Sequence, residues 1–219
     1  MKIKLNQGQQ LWFMSDPHYD HKNICRATTS WKDSDNLTRD FSSLEQMNDE
    51  LVYGINARVR QDDILFSMGD WSFNGFENIR KFRERIICKN VHLILGNHDH
   101  HIERNKDNIQ SIFSSVNEYL SLDVRWRPNP SKLVADSHAR FVLFHYPIAS
   151  WNGMSDGVIH LHGHVHLPPH QRLAAGKAMD VGVDGNNMEP ISMEEVLSIM
   201  HKQPIAKLSL PKDHHEKRV

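Results

Sequence analysis

Residues 93–101 read LILGNHDHH: an apolar run from Leu93 to Leu95, a glycine, and then Asn97, His98 and Asp99 without a spacer. Such a run reads as the end of a buried strand, so an amide, an imidazole and a carboxylate are delivered together to its carboxyl edge. In open α/β sheets that edge is where ligands bind. A loop that only turned the chain would not need this trio. The same grammar recurs on both sides. Residues 11–14 are apolar and run through Ser15 into Asp16-Pro17-His18, and residues 64–68 run into Gly69-Asp70. Further along, residues 140–145 end at His145, and VIHLHGHVH carries Gly163-His164-Val165-His166.

Helical patterns lie between the early strands. Leu44, Met47, Leu51 and Ile55 recur at helical spacing, and Ser43 with Gln46 suggests a capping box. Ile79, Phe82 and Ile86 form a second apolar face. After residue 115 the pattern changes to strict alternation over residues 118–126, followed by a turn at RPNPSK. Strands are expected over 132–136 and 140–145 and in AMDVGVD, then a last helix with a Ser192–Glu195 box. The expectation is an α/β fold of two sheets packed face to face and flanked by helices, the sheets dividing near residue 115. Residues 1–210 read as a single domain, and 211–219 as a disordered charged tail.

The chain has 219 residues and a net charge of −1, from 26 basic against 27 acidic side chains. That length supports one sizeable core. The balanced charge argues against recruitment to membranes or to extended nucleic acid. The apolar stretch before Asp16 is too short for a signal peptide or a membrane span, which points to the cytoplasm. Cys25 and Cys88 match no paired zinc or redox spacing. Histidine stands out, with 16 copies, which favours a metal site.

Taken singly, each polar cluster is weak; a lone Asp70 suits a turn, and a lone His145 suits structure. Together they form a set. In an extended chain residues i and i+2 share a side, so Asp16 with His18, and His164 with His166, are each expected to converge. The oxygen and nitrogen donors, without thiolate, suit Mn, Fe, Zn or Co. Seven candidates (Asp16, His18, Asp70, Asn97, His145, His164 and His166) exceed one tetrahedral ion and suit two. Two divalent ions outweigh the charge of two aspartates, so the site would attract a phosphate anion.

The order D-x-H, G-D, G-N-H-D, a lone His and G-H-x-H resembles the calcineurin-like metallophosphoesterase superfamily over roughly residues 11–184. SDPHYDHKNI resembles its small, compact members. The resemblance implies a four-layer αββα sandwich of two mixed sheets flanked by helices. It implies that Asp16, His18 and His166 hold one metal, that Asn97, His145 and His164 hold the other, and that Asp70 bridges them. A metal-bridging hydroxide would be the nucleophile, His98 would assist the leaving oxygen, and Asp99 would orient His98. The cofactors implied are two divalent ions, Mn first, with Fe, Zn, Ni or Co as alternatives. The substrate would be a phosphate-ester small molecule or a nucleotide, with diesters favoured over monoesters.

Three other readings compete. They are a scaffold that keeps the fold without turnover, a phosphomonoesterase or protein phosphatase, and a His-rich metal-storage protein. The first would be marked by loss of the histidine in G-N-H-D, and His98 is present. Outside the motifs, His160 and His162 suit either a supporting shell or plain structure. Asp20 and His21 read as solvated loop residues, and His100 and His101 as a helix start. Trp71, Phe73, Tyr146 and Trp151 suit core packing at least as well as stacking on a base.

Overall fold

The computed structural model describes residues 1–32, 37–127, 137–168, 171, 173 and 176–206. The expected strand over 132–136 and the charged tail lie outside the described residues. Among the described ones the first sheet is built on β2 (Leu11–Met14), β3 (Ile64–Ser67), β4 (Asn90–Ile94) and β5 (Ser115–Asn117). These four run parallel, and β10 (Ile191–Ser192) adds an antiparallel edge beside β2. The second sheet orders β1 (Lys2–Lys4), β6 (Tyr119–Trp126), β7 (Ser137–Phe144), β8 (Ile159–His162) and β9 (Ala178–Asp180). Only its β6–β7 pair is antiparallel. The two mixed sheets pack face to face and are flanked by helices, the α/β sandwich expected from the sequence.

The division near residue 115 needs one correction. The amino-terminal β1 joins the later sheet and the late β10 joins the earlier one, exchanges that local patterning does not encode. Period-two alternation explains the layers. Leu11 and Phe13 point into the inter-sheet core with Phe66, Phe141 and Leu161, while Trp12 and Met14 point outward beneath the helices. Phe13 and Phe141 meet across the interface with ring centroids 5.2 Å apart. On the far side of the second sheet, Val142 packs with Trp151, Met154 and Val158.

The helices follow their sequence signals. In α1 (Leu44–Arg58), Met47, Leu51 and Ile55 are buried as the spacing predicts. Ser43 Oγ accepts from Gln46 N, but the Gln46 side chain accepts from Ser42, so only half of that capping box forms. α2 (Phe76–Arg85) buries Ile79 and Phe82, and a short α3 (His100–Glu103) follows β4. α4 (Met193–His201) starts with the complete Ser192–Glu195 box and packs on the inter-sheet core. Among the described residues, no helix is long and apolar enough to cross a membrane.

At one end the sheets are stitched together. Ser15 N donates to Val181 O and Val183 N donates to Ser15 O, joining the end of β2 to the chain after β9. The carboxyl ends of strands from both sheets therefore meet around Asp16.

Candidate metal centre

Five strands deliver the polar clusters to this junction, but not by the pleat. Asp16, His18, Asp70, His164 and His166 all have left-handed backbone, with φ of 54°, 50°, 55°, 71° and 47°. The extended i, i+2 expectation is thus corrected: side chains converge because the chain coils tightly where β2, β3 and β8 stop. Left-handed backbone costs a non-glycine residue about 1–3 kcal/mol, and such residues concentrate at functional sites. Five of the nine left-handed non-glycine residues described are candidate ligands. The motif glycines have a separate cause. A Cβ on Gly163 would collide with Ser15 Oγ and Asp16 Oδ2, and one on Gly96 would collide with the Asp70 carboxylate.

Two groups emerge. Asp16, His18 and His166 form the first, with Asp16 Oδ1 lying 3.6 Å from His18 Nε2 and 3.7 Å from His166 Nε2. Donors around one cation at about 2.1 Å are spaced this way. Asp16, Asp70 and His145 form the second. Beside it, Asn97 Oδ1 lies 2.9 Å from both His145 Nε2 and His164 Nδ1. Asp70 Oδ2 stands between the groups, 3.5 Å from His18 Nε2 and 3.6 Å from His145 Nε2. All seven sequence-predicted ligands are therefore gathered in one place. His98 is nearby and half open: its N–H donates to Asp70 Oδ1, and its Nε2 is 4.0 Å from Asp70 Oδ2.

No family model matches the chain. An uncharacterised protein of Methanocaldococcus jannaschii is 26% identical over 204 residues, covering 91% of this chain and 96% of that one. The gene 66 protein of Mycobacterium phage L5 is 29% identical over 178 residues, covering 72% and 77%. Among solved structures, a protein of unknown function from Aquifex aeolicus superposes with a TM-score of 0.58 at 18% identity, covering 88% of this chain and all of that one. This likeness shows the fold.

The donor set itself supplies a test of fit. Asp16 Oδ1 and both nitrogens of His18 are buried without any hydrogen-bond partner. Orphaned buried polar atoms cost about 1–3 kcal/mol each, and a cation held between Asp16 Oδ1 and His18 Nε2 would relieve that cost for these two. Asp70 agrees. Burial, helped by the Asp16 charge, pushes its carboxyl up to about 7 despite the His98 N–H. Burial discourages a proton on His18, whose value falls to about 3, which leaves a neutral imidazole suited to ligation. For Asp16, burial works upward, but the nearby imidazoles of His18 and His166 prevail and bring it to about 2.

Behind the first group lies a support the sequence reading missed. His166 Nδ1 is 2.7 Å from Asp184 Oδ2. The buried Arg39 guanidinium donates to both Asp184 oxygens at 2.7 and 2.9 Å, and to the carbonyls of Asp16 and Pro17. Burial raises the Asp184 carboxyl, yet Arg39 and His166 together hold it well below the usual carboxylate range. A carboxylate on Nδ1 fixes the imidazole so that Nε2 faces the site. Asp184 ends the AMDVGVD run, which was its one signal; Arg39, in TRDF, had none.

Asp99 is the main correction. It does not back the His98 imidazole. Its Oδ2 accepts from Asp70 N and Gly96 N at 2.8 Å and its Oδ1 from Trp71 N at 2.9 Å, so it ties the β3 and β4 loops together. Its three short bonds all go to backbone N–H groups and none to the His98 ring. Trp71 and Trp151 are core residues, with indole N–H groups donating to Ile79 O and Val158 O. His160 and His162 are buried, their Nδ1 atoms near the carbonyls of Val142 and Gly163. Asp20 is engaged by Asn48, Asn74 and Asn78. His21 is half-buried against Phe73; burial first, then His98, depress its value to about 4. Tyr146 sits at the rim, edge-on to His145 and His164.

Proposed function

We propose that this chain is a dinuclear metal-dependent phosphoesterase of the calcineurin-like type, acting in the cytoplasm on a phosphate-ester small molecule or nucleotide. The observation that carries the reading is the convergence of seven oxygen and nitrogen donors from five strand ends, three of their buried atoms lacking any partner. Asp16, His18 and His166 would hold one divalent ion. Asn97, His145 and His164 would hold the other, with Asp70 between. When bound, such a pair supplies positive charge to a phosphoryl group and lowers the pKa of water.

The chain's own residues do the rest. Arg39 and Asp184 hold His166 in register. Asp99 pins the two loops that carry Asp70 and Asn97. His98 is half exposed beside Asp70, so its imidazole can reach the leaving oxygen of a substrate and donate a proton there. Burial, reinforced by His145, lowers its proton affinity, so the protonated fraction that can act as the acid grows as pH falls.

The test is a panel of phosphodiesters and phosphomonoesters on chelated protein reconstituted with Mn, Ni, Zn or Mg. Hydrolysis should vanish on chelation and return with Mn or a neighbouring transition ion, at close to two ions per chain. Full hydrolysis by metal-free protein, or none with any ion, would remove the reading.

A further inference from the structure

His21 belongs to neither candidate ligand group, yet it is built into the same wall. Its ring lies flat on Phe73, with centroids 3.8 Å apart and planes within 6°. Trp31 meets the ring edge-on at 6.1 Å. Phe73 is also stacked on His18 at 5.3 Å and lies 5.0 Å from His98. The result is a triangle of imidazoles around one phenyl ring. His21 is 5.3 Å from His18 and 6.5 Å from His98, ring to ring. The backbone locks the corner, with His21 N donating to His18 O at 3.1 Å.

The two ring nitrogens of His21 differ. Nδ1 is buried and has no hydrogen-bond partner. A proton there would be an unsatisfied buried donor, so the proton belongs on Nε2, the nitrogen that packing does not seal. A rigid N–H donor therefore stands beside the first ligand group, on the side that also holds His98. Two non-ligand imidazoles 6.5 Å apart, ring to ring, are too distant to bond each other, so neither ring uses up the other's N–H.

Resting on the phosphoesterase reading, we propose that His21 is a substrate-binding residue, donating Nε2–H to a non-bridging phosphoryl oxygen while His98 serves the leaving oxygen. Phe73 is the platform that sets its plane. The role differs from ligation, since His21 stands in neither ligand group. It also differs from packing, which any flat or apolar side chain against Phe73 would satisfy.

The test uses the full chain loaded with Mn and inorganic phosphate as the probe. His21→Ala should keep both ions and bind phosphate about 10- to 100-fold more weakly, the usual worth of a hydrogen bond to a charged group. Its KM should rise more than its kcat falls. His21→Gln, whose amide N–H reaches the Nε2 position, should recover most of the binding, and Phe73→Leu should lose part of it. In unmutated protein loaded with diamagnetic Zn and carrying 15N-labelled histidine, phosphate should shift the His21 Nε2 resonance. Wild-type phosphate affinity in His21→Ala, loss of an ion, or a Gln variant as weak as the Ala variant would each overturn the proposal. So would an unshifted Nε2 resonance, should the variants fail to fold. Phosphate binding is read without turnover. A wild-type protein that hydrolyses no ester therefore removes the phosphoesterase reading alone, and one that hydrolyses but binds phosphate independently of His21 removes this proposal alone.

Discussion

Strand β3 has an aspartate just beyond each end, and the two are treated oppositely. Asp63 precedes Ile64, Asp70 follows Ser67, and each is 2% exposed. Asp63 is fully met: Gln10 N reaches Oδ1 at 2.9 Å, while Trp12 Nε1 and Arg60 N reach Oδ2 at 3.1 and 3.0 Å. Burial pushes its carboxyl up, but those donors win and its pKa is lowered. Asp70 Oδ2 instead faces three imidazole nitrogens at 3.5, 3.6 and 4.0 Å, beyond hydrogen-bond reach. Its pKa rises to about 7. Equal burial has therefore produced a finished structural anion at one end and an unfinished one at the other. The unfinished one calls for a cation.

Exchanging each carboxylate for an amide gives the largest contrast. Asp70→Asn should bring turnover below detection and weaken both ion sites, while leaving the metal-free protein at least as stable as before. Metal analysis beside a denaturant titration would show this; two tightly held ions in the variant would break the comparison. Because the folded pKa of Asp70 is raised, folding takes up its proton. That contribution is complete below the unfolded value near 3.8 and is lost as pH climbs towards 7. Metal-free wild type should therefore lose stability over this window more steeply than Asp70→Asn.

Next in size is His98→Ala, which should lose about 10²–10⁴-fold in turnover on an alkyl ester with both ions retained. A nitrophenyl ester leaves readily without a proton and should suffer much less. Equal losses on the two substrates would take His98 out of the chemistry. Asp184→Asn should follow, at about 10–100-fold in metal affinity confined to the Asp16, His18 and His166 group. Titration calorimetry resolving two binding steps would test it, and equal weakening of both steps would contradict the wiring through His166.

The smallest effect belongs to the finished aspartate. Asp63→Asn should cost about 1–3 kcal/mol of stability and leave metal content and specific activity unchanged. With a lowered folded pKa, Asp63 stabilises the protein above its unfolded value, and that contribution disappears as pH falls through the folded one. Below pH 4 the wild type should lose more stability than the variant. An unaltered acid limb would mean that the three donors do not favour the charged form.

The amino-acid sequence by itself determined where strands stop and which polar residues they deliver. Leu93 to Asp99 announces both, because burial demands apolar runs and a glycine marks where backbone must pass close to a neighbour. It also determined the helix starts that depend on one residue and its third neighbour, as at Ser192 and Glu195. Contacts between distant segments were decided only in three dimensions. The left-handed turns at Asp16 and His166 overturn the pleat argument, since a positive φ redirects the side chain away from the extended alternation. Asp99 lies next to His98 in sequence but turns to the backbone of Asp70 and Trp71. Arg39 and Asp184 meet at 2.7 Å from opposite ends of the chain. Local patterning carries period and propensity; which buried donor finds which acceptor depends on how the two sheets close on each other.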